Sequence, residues 1–193
     1  MAGLVGIPGG FIIAFNEFRG KRVLITVLNT LLALPTVVIA LLVYSFISRK
    51  GLLGPLNLLY TQTAIIIGQV ILIVPIVTTF TITAISRIDK RYRKTARTLG
   101  ADAFQTAWVV FREGRFGVVA ALILAFGRVI AEVGISMMLG GNARGFTRTM
   151  TTAMALEYDK GEFVLGVALG LVLLFVSLVL NGFFQYLQGR DRI

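Results

Sequence analysis

Two charged residues, Arg128 and Glu132, lie inside an otherwise apolar stretch of the sequence. In a helix that crosses a membrane, a charge near the bilayer centre costs about 2.5–3.5 kcal/mol on insertion scales, so it faces protein or a water-filled path. Residues four apart are neighbours on a helix and can partly neutralise each other. The spacing therefore predicts either a structural ion pair that locks a helix bundle or a polar pair on a water-filled route.

A second group of polar residues follows this stretch, between Gly140 and Glu162. Neutral donors with an occasional arginine bind a tetrahedral oxyanion well, but loops in general are also rich in Gly and Thr. Both interpretations, an oxyanion route and an ordinary loop, are open. We expect a loop with a short helix that partly re-enters the membrane. The donors are Gly140, Gly141, Asn142, Thr147, Arg148, Thr149, Thr151 and Thr152.

The residue types of catalysis and metal binding are largely absent from the sequence. The chain has no Cys and no His, which excludes disulfides, thiol chemistry, imidazole bases and the usual zinc or haem ligands. The phosphate-binding pattern G-x-x-x-x-G-K-[ST] does not occur. Its acidic residues are otherwise scattered through loops. We therefore expect a chain with no catalytic residues, no metal and no cofactor.

The longest polar segment, Arg87 to Arg115, is strongly basic. Tyr92, Ala96 and Leu99 have the spacing of one helix face, and Gly100 provides a natural stop. A second short helix with Phe104, Trp108 and Phe111 on one face should follow, capped by Asp102 with Gln105. The two helices would either rest on anionic lipid or dock a partner. The basic residues are Arg87, Lys90, Arg91, Arg93, Lys94, Arg97, Arg112 and Arg115.

Composition places this segment in an all-α integral membrane protein. The chain of 193 residues is 56% hydrophobic, with a mean hydropathy of +0.86, too apolar for an ordinary soluble domain. Single apolar runs are long enough to cross a bilayer. We predict one transmembrane domain, residues 1–193, with about five spans: Met1 to Asn16, Val23 to Ile47, Thr61 to Ile85, Phe116 to Leu139 and Phe163 to Leu187.

Details of three spans lead to further expectations. The first span is short for a roughly 30 Å hydrocarbon core, so we expect the start of the sequence to lie inside a transmembrane helix. Pro35 and Pro75 should kink the second and third spans. Gly166 and Gly170 have the small-xxx-small spacing that lets two helices approach closely.

The distribution of basic residues predicts the orientation. The basic segment, the turn Glu17 to Arg22 and the tail Arg190 to Ile193 fall on one side and hold 13 Lys and Arg residues. The loops on the other side hold five. Basic residues concentrate in cytoplasmic loops. We therefore expect a multi-pass protein of the cytoplasmic membrane, with its N-terminus outside and its C-terminus in the cytoplasm.

The basic segment resembles the EAA loop of the permeases of binding-protein-dependent ABC importers. That loop has glutamate-alanine-alanine, three residues, glycine, nine residues and then isoleucine-x-leucine-proline. Ala96 and Gly100 match the second alanine and the glycine, and Val110 stands at the isoleucine. Thr95 follows Lys94, which replaces the glutamate, and Arg112-Glu113 replace leucine-proline.

Longer motifs resemble the tungstate branch of this family, over about Gly3 to Gln185. They come in the same order along the chain and include a glutamate, Glu113, in the proline position. The motifs are GIPGG, NTLLALPTVVIALLVY, GQVILIVPI, TARTLGA, FGRVIAEVG, MMLGGN, TRTMTTAMALE and DKGE.

The resemblance implies a type I ABC importer transmembrane domain with a cytoplasmic coupling helix. It implies a homodimer, a cytoplasmic ABC ATPase, an extracytoplasmic oxyanion-binding protein and about one further helix before Met1. Tungstate is the implied cargo, with molybdate or sulfate as alternatives within the family. A membrane scaffold that binds anionic lipid through the basic segment is an alternative from another class. Membrane lipid is an expected partner in either case, and nucleic acid is not.

An anion as cargo gives the charged pair a functional interpretation besides the structural one. Arg128 would lend positive potential to the anion route, and Glu132 would keep it from trapping a divalent anion. The residues that would couple to the ATPase are Thr95, Ala96, Gly100, Ala101, Asp102, Phe104 and Trp108. The residues expected on the translocation route are Arg128, Glu132, Gly140, Gly141, Asn142, Thr147 and Arg148.

Overall fold

The computed structural model describes residues 1–189, and this part of the chain is helical. The α-helices are α1 (Ala2–Phe15), α2 (Lys21–Leu32), α3 (Thr36–Ile47), α4 (Gln62–Ser86), α5 (Lys90–Thr98), α6 (Ala103–Ile130), α7 (Gly134–Gly140), α8 (Met150–Asp159) and α9 (Phe163–Gly189). A short 3₁₀ helix, Gly54–Leu56, lies between α3 and α4. The predicted all-helical fold is confirmed for the described residues. The tail Arg190 to Ile193, used above for the orientation, lies outside them.

The predicted spans correspond to helices of unequal continuity. By length and composition, α4 and α9 can each cross a membrane without a break. The apolar stretches of α2 with α3 and of α6 with α7 reach the required length only as broken pairs, and α1 is a shorter apolar helix. The described residues thus provide two unbroken candidate spans, or up to four if each broken pair counts as one.

The two proline predictions have different outcomes. Pro35 does more than kink its span, because α2 ends at Leu32 and α3 begins at Thr36, with Pro35 extended at φ −61° and ψ 132°. Proline disfavours the helical conformation of the residue before it, which ends a helix there. Helix α4 continues through Pro75 as one element of 25 residues, and a kink there stays a prediction.

The predicted fourth span, Phe116 to Leu139, corresponds to parts of two helices instead of one. The short helix expected after Asp102 does not end before the membrane but continues as α6 for 28 residues, to Ile130. No proline interrupts this sequence, and Gly114 and Gly117 lie against Ile85 and Ala84 of α4, where larger side chains would not fit. At the other end, residues 131–133 separate α6 from α7.

The chain forms two compact units, which we describe separately. The first comprises Met1–Ala33 and Ile73–Ala125. Its core contains Ile85, Val110 and Val118, against which Phe11 and Phe15 of α1 pack. Helix α1 approaches α4 closely through glycines: a Cβ atom on Gly6 would lie 2.9 Å from Val77, and one on Gly10 would lie 2.7 Å from Thr81.

The second unit comprises Leu34–Leu72 and the chain from Phe126 onward. Helix α3 packs on α7, and α8 packs on α9. Two hydrogen bonds tie the chain around the start of α4 to the end of α7 and the loop that follows it, from Tyr60 N to Leu139 O (2.8 Å) and from Gln62 Nε2 to Phe146 O (2.8 Å). The segment Gly140 to Glu162 does contain a short helix, α8, whereas its re-entry into the membrane stays a prediction.

Helix α9 contacts its own unit through its N-terminal part. Gly166 and Gly170 face Met154 of α8, and a Cβ atom on Gly170 would lie 3.2 Å from the Met154 Cε. The membrane-length window of α9 has no buried residue within the unit. Within this chain, Gly166 and Gly170 therefore allow α9 to approach α8 closely.

Candidate functional site

The turn after α5 has the geometry that the glycine predicts. Gly100 adopts φ +85°, and its N–H donates to Arg97 O at 3.0 Å. The next N–H, of Ala101, donates to Ala96 O at 3.0 Å. These two bonds form a Schellman motif, which ends a helix and reverses the chain through a left-handed residue. We call residues 99–105, which include the start of α6, the elbow.

The start of α6 carries the predicted capping box. The Gln105 N–H donates to Asp102 Oδ1 at 2.7 Å, and the Asp102 N–H donates to Gln105 Oε1 at 3.0 Å. The buried Thr106 hydroxyl also donates to Asp102 O at 2.7 Å. The two capping-box bonds each satisfy an N–H group that the start of a helix would leave free. The elbow is therefore a rigid joint between two well-capped helices.

Large apolar side chains surround the elbow and are exposed. Leu99 is 82% exposed, Phe104 is 79% exposed and Trp108 is 59% exposed. Trp108 stacks on Phe111, which in turn packs edge-on against Phe11. Ala96, predicted on the same face as Leu99, is buried. An exposed apolar surface supported by a packed core is typical of a site that binds another protein or lipid.

Thr95 and Ala101 complete the predicted coupling set. Thr95 is exposed and lines an apolar groove of about 370 Å³ together with Tyr92, Ala96 and Leu99. Beside the groove, the Glu113 carboxylate raises the pKa of the Tyr92 phenol through its charge and a side-chain hydrogen bond. Glu113, which stands where the EAA loop has proline, thus joins α6 to α5. The coupling role of this set stays a prediction.

The two charges that opened the sequence analysis form an ion pair. Arg128 Nη1 donates to Glu132 Oε2 at 2.9 Å, and the side chain of Glu132 is 2% exposed against 42% for Arg128. Glu132 does not lie on the same helix as Arg128, contrary to prediction, but in the break after α6. Its second oxygen, Oε1, accepts the Ile135 N–H at 3.1 Å, and its carbonyl accepts the Thr151 hydroxyl at 2.9 Å.

The position of Glu132 has a physical reason. A carboxylate is stabilised at a helix N-terminus, where backbone N–H groups are free and the helix dipole is positive. Glu132 occupies this position for α7 and holds Arg128 at the same time. It therefore supports the structural interpretation of the pair, while a role on the anion route stays a prediction.

The predicted donors after α7 bond to one another. The buried Thr147 hydroxyl donates to Gly140 O at 2.6 Å and accepts the Ala143 N–H at 2.9 Å. Arg148 Nε donates to Asn142 Oδ1 at 3.1 Å, and Asn142 Nδ2 donates to Thr152 O at 3.2 Å. Gly141 adopts φ +69°. We call residues 140–152 the Gly141 loop; its Thr149 and Thr152 also form the capping box of α8.

Two basic residues, Arg93 and Lys21, contact the end of α1. From the sequence they were predicted only as part of the basic charge. Arg93 donates to Phe15 O at 2.9 Å and lies 3.8 Å from the centre of the Phe15 ring. The Lys21 ammonium donates to Asn16 O at 3.0 Å and to Glu17 Oε1 at 3.0 Å, and lowers the pKa of the Glu17 carboxyl. Their spacing gave no signal of these contacts, because the partners lie at the end of another helix.

Comparisons with known proteins agree on one family. The family model described as binding-protein-dependent transport system inner membrane component matches residues 6–192. A probable anion ABC transporter permease of Haloferax volcanii is 37% identical over 94% of this chain and 80% of its own length. Two tungstate uptake system permeases named TupB also match. The one from Campylobacter jejuni is 40% identical over 86% of this chain and 70% of its own length. The one from Peptoclostridium acidaminophilum is 36% identical over 97% of this chain and 82% of its own length.

Permeases of sulfate transport systems are more distant relatives, at 23–25% identity in cyanobacterial examples. The matches extend along almost the whole chain and include both the elbow and the Gly141 loop. Together with the helical fold and the apolar spans, they confirm the family resemblance drawn from the motifs. This chain belongs to the inner membrane components of binding-protein-dependent transport systems, and it is a non-catalytic, membrane-spanning permease subunit of an ABC transporter.

Proposed function

We propose that this chain is the permease of an importer for tungstate, a divalent oxyanion. The observation that carries the proposal is the 36–40% identity to two permeases named for tungstate uptake, against 23–28% for permeases named for sulfate. Molybdate is the nearest alternative cargo, because it has the same charge and shape. High-affinity selection among these anions would belong to an extracytoplasmic binding protein.

The elbow is the proposed contact with a cytoplasmic ATPase. It presents Leu99 and Phe104 almost fully exposed on a joint that two capping motifs hold rigid. Rigid apolar anchors lose little conformational entropy on binding, so they suit a contact through which force is transmitted. ATP-driven closure of two such ATPases would then move α5 and α6 in a homodimer of this chain.

We place the anion route near Arg128 and the Gly141 loop. Arg128 remains 42% exposed although Glu132 accepts one of its N–H groups, so it can still lend positive potential to a passing anion. The Gly141 loop, whose side chains are largely used within the loop, would provide a fixed outer rim through Arg148 and Asn142. With the basic segment in the cytoplasm, this rim and the N-terminus face outside.

Uptake by the assembled transporter tests the proposal. The chain is coexpressed with an ATPase and a binding protein with which it copurifies, and uptake of tungstate, molybdate and sulfate into proteoliposomes is compared. We expect ATP-dependent tungstate uptake that excess sulfate does not suppress. Uptake of sulfate in preference to tungstate would contradict the proposed cargo.

The ATPase contact is tested by copurification. Exchanging Leu99 and Phe104 for Ser should weaken ATPase binding at least about tenfold, because buried apolar anchors dominate such interfaces. Leu52→Ser with Leu56→Ser, which changes two exposed leucines elsewhere, is the matched control. Gly100→Pro should also abolish binding, since proline cannot adopt φ +85°. Retained binding in these elbow variants would contradict the coupling role.

A further inference from the structure

The basic residues of α5 lie on one face of the helix. Lys90, Arg93, Lys94 and Arg97 are spaced at i, i+3, i+4 and i+7, so they form one stripe. Tyr92, Ala96 and Leu99, which line the apolar groove, follow a different line along the helix. Helix α5 therefore has a groove side near the elbow and a separate cationic side.

The cationic stripe borders a cavity of about 480 Å³ in the first unit. The cavity lies between the end of α1, the end of α4 and α5, with Val110 of α6 beside it. Its lining has an apolar part and a basic part. The apolar part consists of Ala14, Phe15, Ile85, Ile88 and Val110, and the basic part of Lys21, Lys90, Arg93, Lys94 and Arg97.

The charges around the cavity do not balance. Two carboxylates line it, Glu17 and Asp89, against five cations. Glu17 is paired with Lys21 at 3.0 Å, and Asp89 caps α5 by accepting the Arg91 N–H at 2.8 Å. Among the described residues, the exposed side chains of Lys90, Lys94 and Arg97 make no ion pair. The cavity therefore carries excess positive charge.

Arg93 adds an unsatisfied donor to this cavity. Its guanidinium is fixed by the Phe15 carbonyl and ring. Its Nε, however, is buried and has no hydrogen-bond partner within the described residues. Buried polar groups without a partner are uncommon in native proteins, and a bound ligand is one explanation. The missing partner is an acceptor, as an anionic oxygen would be.

We propose that this cavity binds the phosphate group of an anionic phospholipid. The apolar lining favours a lipid over a soluble anion, because a free phosphate gains nothing from contact with Phe15, Ile85 or Ile88. The cavity also lies at the ends of the candidate span α4 and of the apolar helix α1. The end of a helix that crosses the bilayer reaches the level where headgroups meet hydrocarbon. The phosphate is bound by the basic stripe, and an acyl chain follows the apolar lining.

A bound lipid of this kind would hold α5 from its cationic side while the groove side remains free. The orientation of the elbow would then depend on membrane composition. The inference concerns a binding site of this chain and holds whichever anion the transporter imports.

The test measures lipid binding to the purified full-length chain in neutral detergent. Native mass spectrometry follows titrations with phosphatidylglycerol and with phosphatidylcholine of the same acyl chains. We expect the unchanged chain to bind phosphatidylglycerol more tightly than phosphatidylcholine. The double substitution Lys94→Gln with Arg97→Gln should weaken phosphatidylglycerol binding about 30-fold, at roughly fivefold for each charge. Lys90→Gln alone, at the other end of the stripe, should weaken it about fivefold.

Matched controls separate this site from general attraction. Arg19→Gln with Arg22→Gln also removes two exposed cations, from the turn after α1 and from the start of α2, but neither residue lines the cavity. This control should change phosphatidylglycerol binding less than about threefold. An equal loss in the control and stripe variants would overturn the proposal in favour of diffuse attraction. Displacement of the lipid by an equal concentration of inorganic phosphate would overturn it in favour of a soluble anion.

Discussion

The elbow and the Gly141 loop both contain a left-handed glycine, but their side chains make different kinds of contact. Each follows a helix and uses a left-handed glycine, Gly100 at φ +85° and Gly141 at φ +69°. The elbow exposes Leu99 and Phe104 to the surroundings. The Gly141 loop uses Thr147, Arg148 and Asn142 in hydrogen bonds within itself.

This difference indicates two kinds of role. A joint that is rigid in its backbone but exposes large apolar side chains is suited to a contact outside the chain. A loop whose polar groups are satisfied internally keeps a fixed shape by itself. We therefore expect side-chain substitutions in the elbow to affect mainly the binding of a partner. Substitutions in the Gly141 loop should affect mainly the free energy of unfolding.

The largest loss of stability is expected at Glu132, which connects the Gly141 loop to α6 and α7. Glu132→Ala removes the acceptor of Arg128 and of the Ile135 N–H. Losing a hydrogen bond to a charged group costs about 1.5–3 kcal/mol, and leaving a buried N–H without an acceptor costs about 1–3 kcal/mol, so we expect a loss of about 4 kcal/mol. The free energy of unfolding is measured by reversible denaturation in mixed micelles.

The control for this prediction is an ion pair at a less buried position of the same unit. Glu157 pairs with Lys160 at 2.8 Å, and the Lys160 side chain is 51% exposed. Glu157→Ala should cost less than about 1 kcal/mol, since such pairs contribute little. Equal losses at Glu132 and Glu157 would show that the Glu132 carboxylate does not stabilise the break between α6 and α7.

The two glycines provide the next largest contrast. A left-handed backbone costs a residue with a Cβ atom roughly 1–2 kcal/mol, and this cost applies to both. A Cβ atom on Gly141 would also lie 2.7 Å from the Tyr60 ring, whereas one on Gly100 would meet nothing within 4 Å. We expect Gly141→Ala to cost about 3 kcal/mol and Gly100→Ala about 1 kcal/mol. Equal losses in the same denaturation assay would contradict the difference in packing.

The elbow could be predicted in detail from the sequence because its signals are local. Gly100, Asp102 and Gln105 satisfy groups within five residues of themselves, so their spacing alone determines the Schellman motif and the capping box. The ion pair between Arg128 and Glu132 was predictable for the same reason. The apolar spans likewise follow from the hydropathy of continuous stretches of the chain.

The features that could not be predicted depend on contacts between distant segments. The apolar stretch of the sequence continues on both sides of residues 131–133. Its hydropathy therefore could not show that the helix breaks there and that the Glu132 side chain accepts an N–H of α7. The extent of α6 depends on how Gly114 fits Ile85, 29 positions earlier. Gly6 and Gly10 did offer a signal, their small-xxx-small spacing, but it indicates a close contact without identifying α4 as the partner.

A smaller loss is expected when one hydroxyl is removed from the Gly141 loop. Thr147→Val keeps the side-chain volume but leaves the Gly140 carbonyl and the Ala143 N–H without this partner. Unsatisfied buried groups of this kind cost about 1–3 kcal/mol. Thr95→Val, which changes an exposed threonine of α5, is the control and should cost less than about 0.5 kcal/mol. A neutral Thr147→Val would show that the loop does not depend on its internal bonds.

The smallest effect is expected at the contact of Tyr92 with Glu113, which joins the two helices of the elbow. Glu113 raises the pKa of the Tyr92 phenol above its ordinary value of 10.0. The protonated phenol is thus favoured in the folded state, so the contact stabilises the fold below that ordinary value and is lost as the pH rises through the raised pKa.

Glu113→Gln should lower the pKa of Tyr92, because it removes the charge that opposes the tyrosinate. Alkaline titration of tyrosinate absorbance measures this change, and subtraction of the Tyr92→Phe curve isolates Tyr92 from the four other tyrosines. An exchange of Glu162 for Gln, which changes a carboxylate of the other unit, should leave the Tyr92 curve unchanged. If Glu113→Gln also leaves it unchanged, the two helices are held by the capping motifs alone, and the glutamate in the proline position has no part in the elbow.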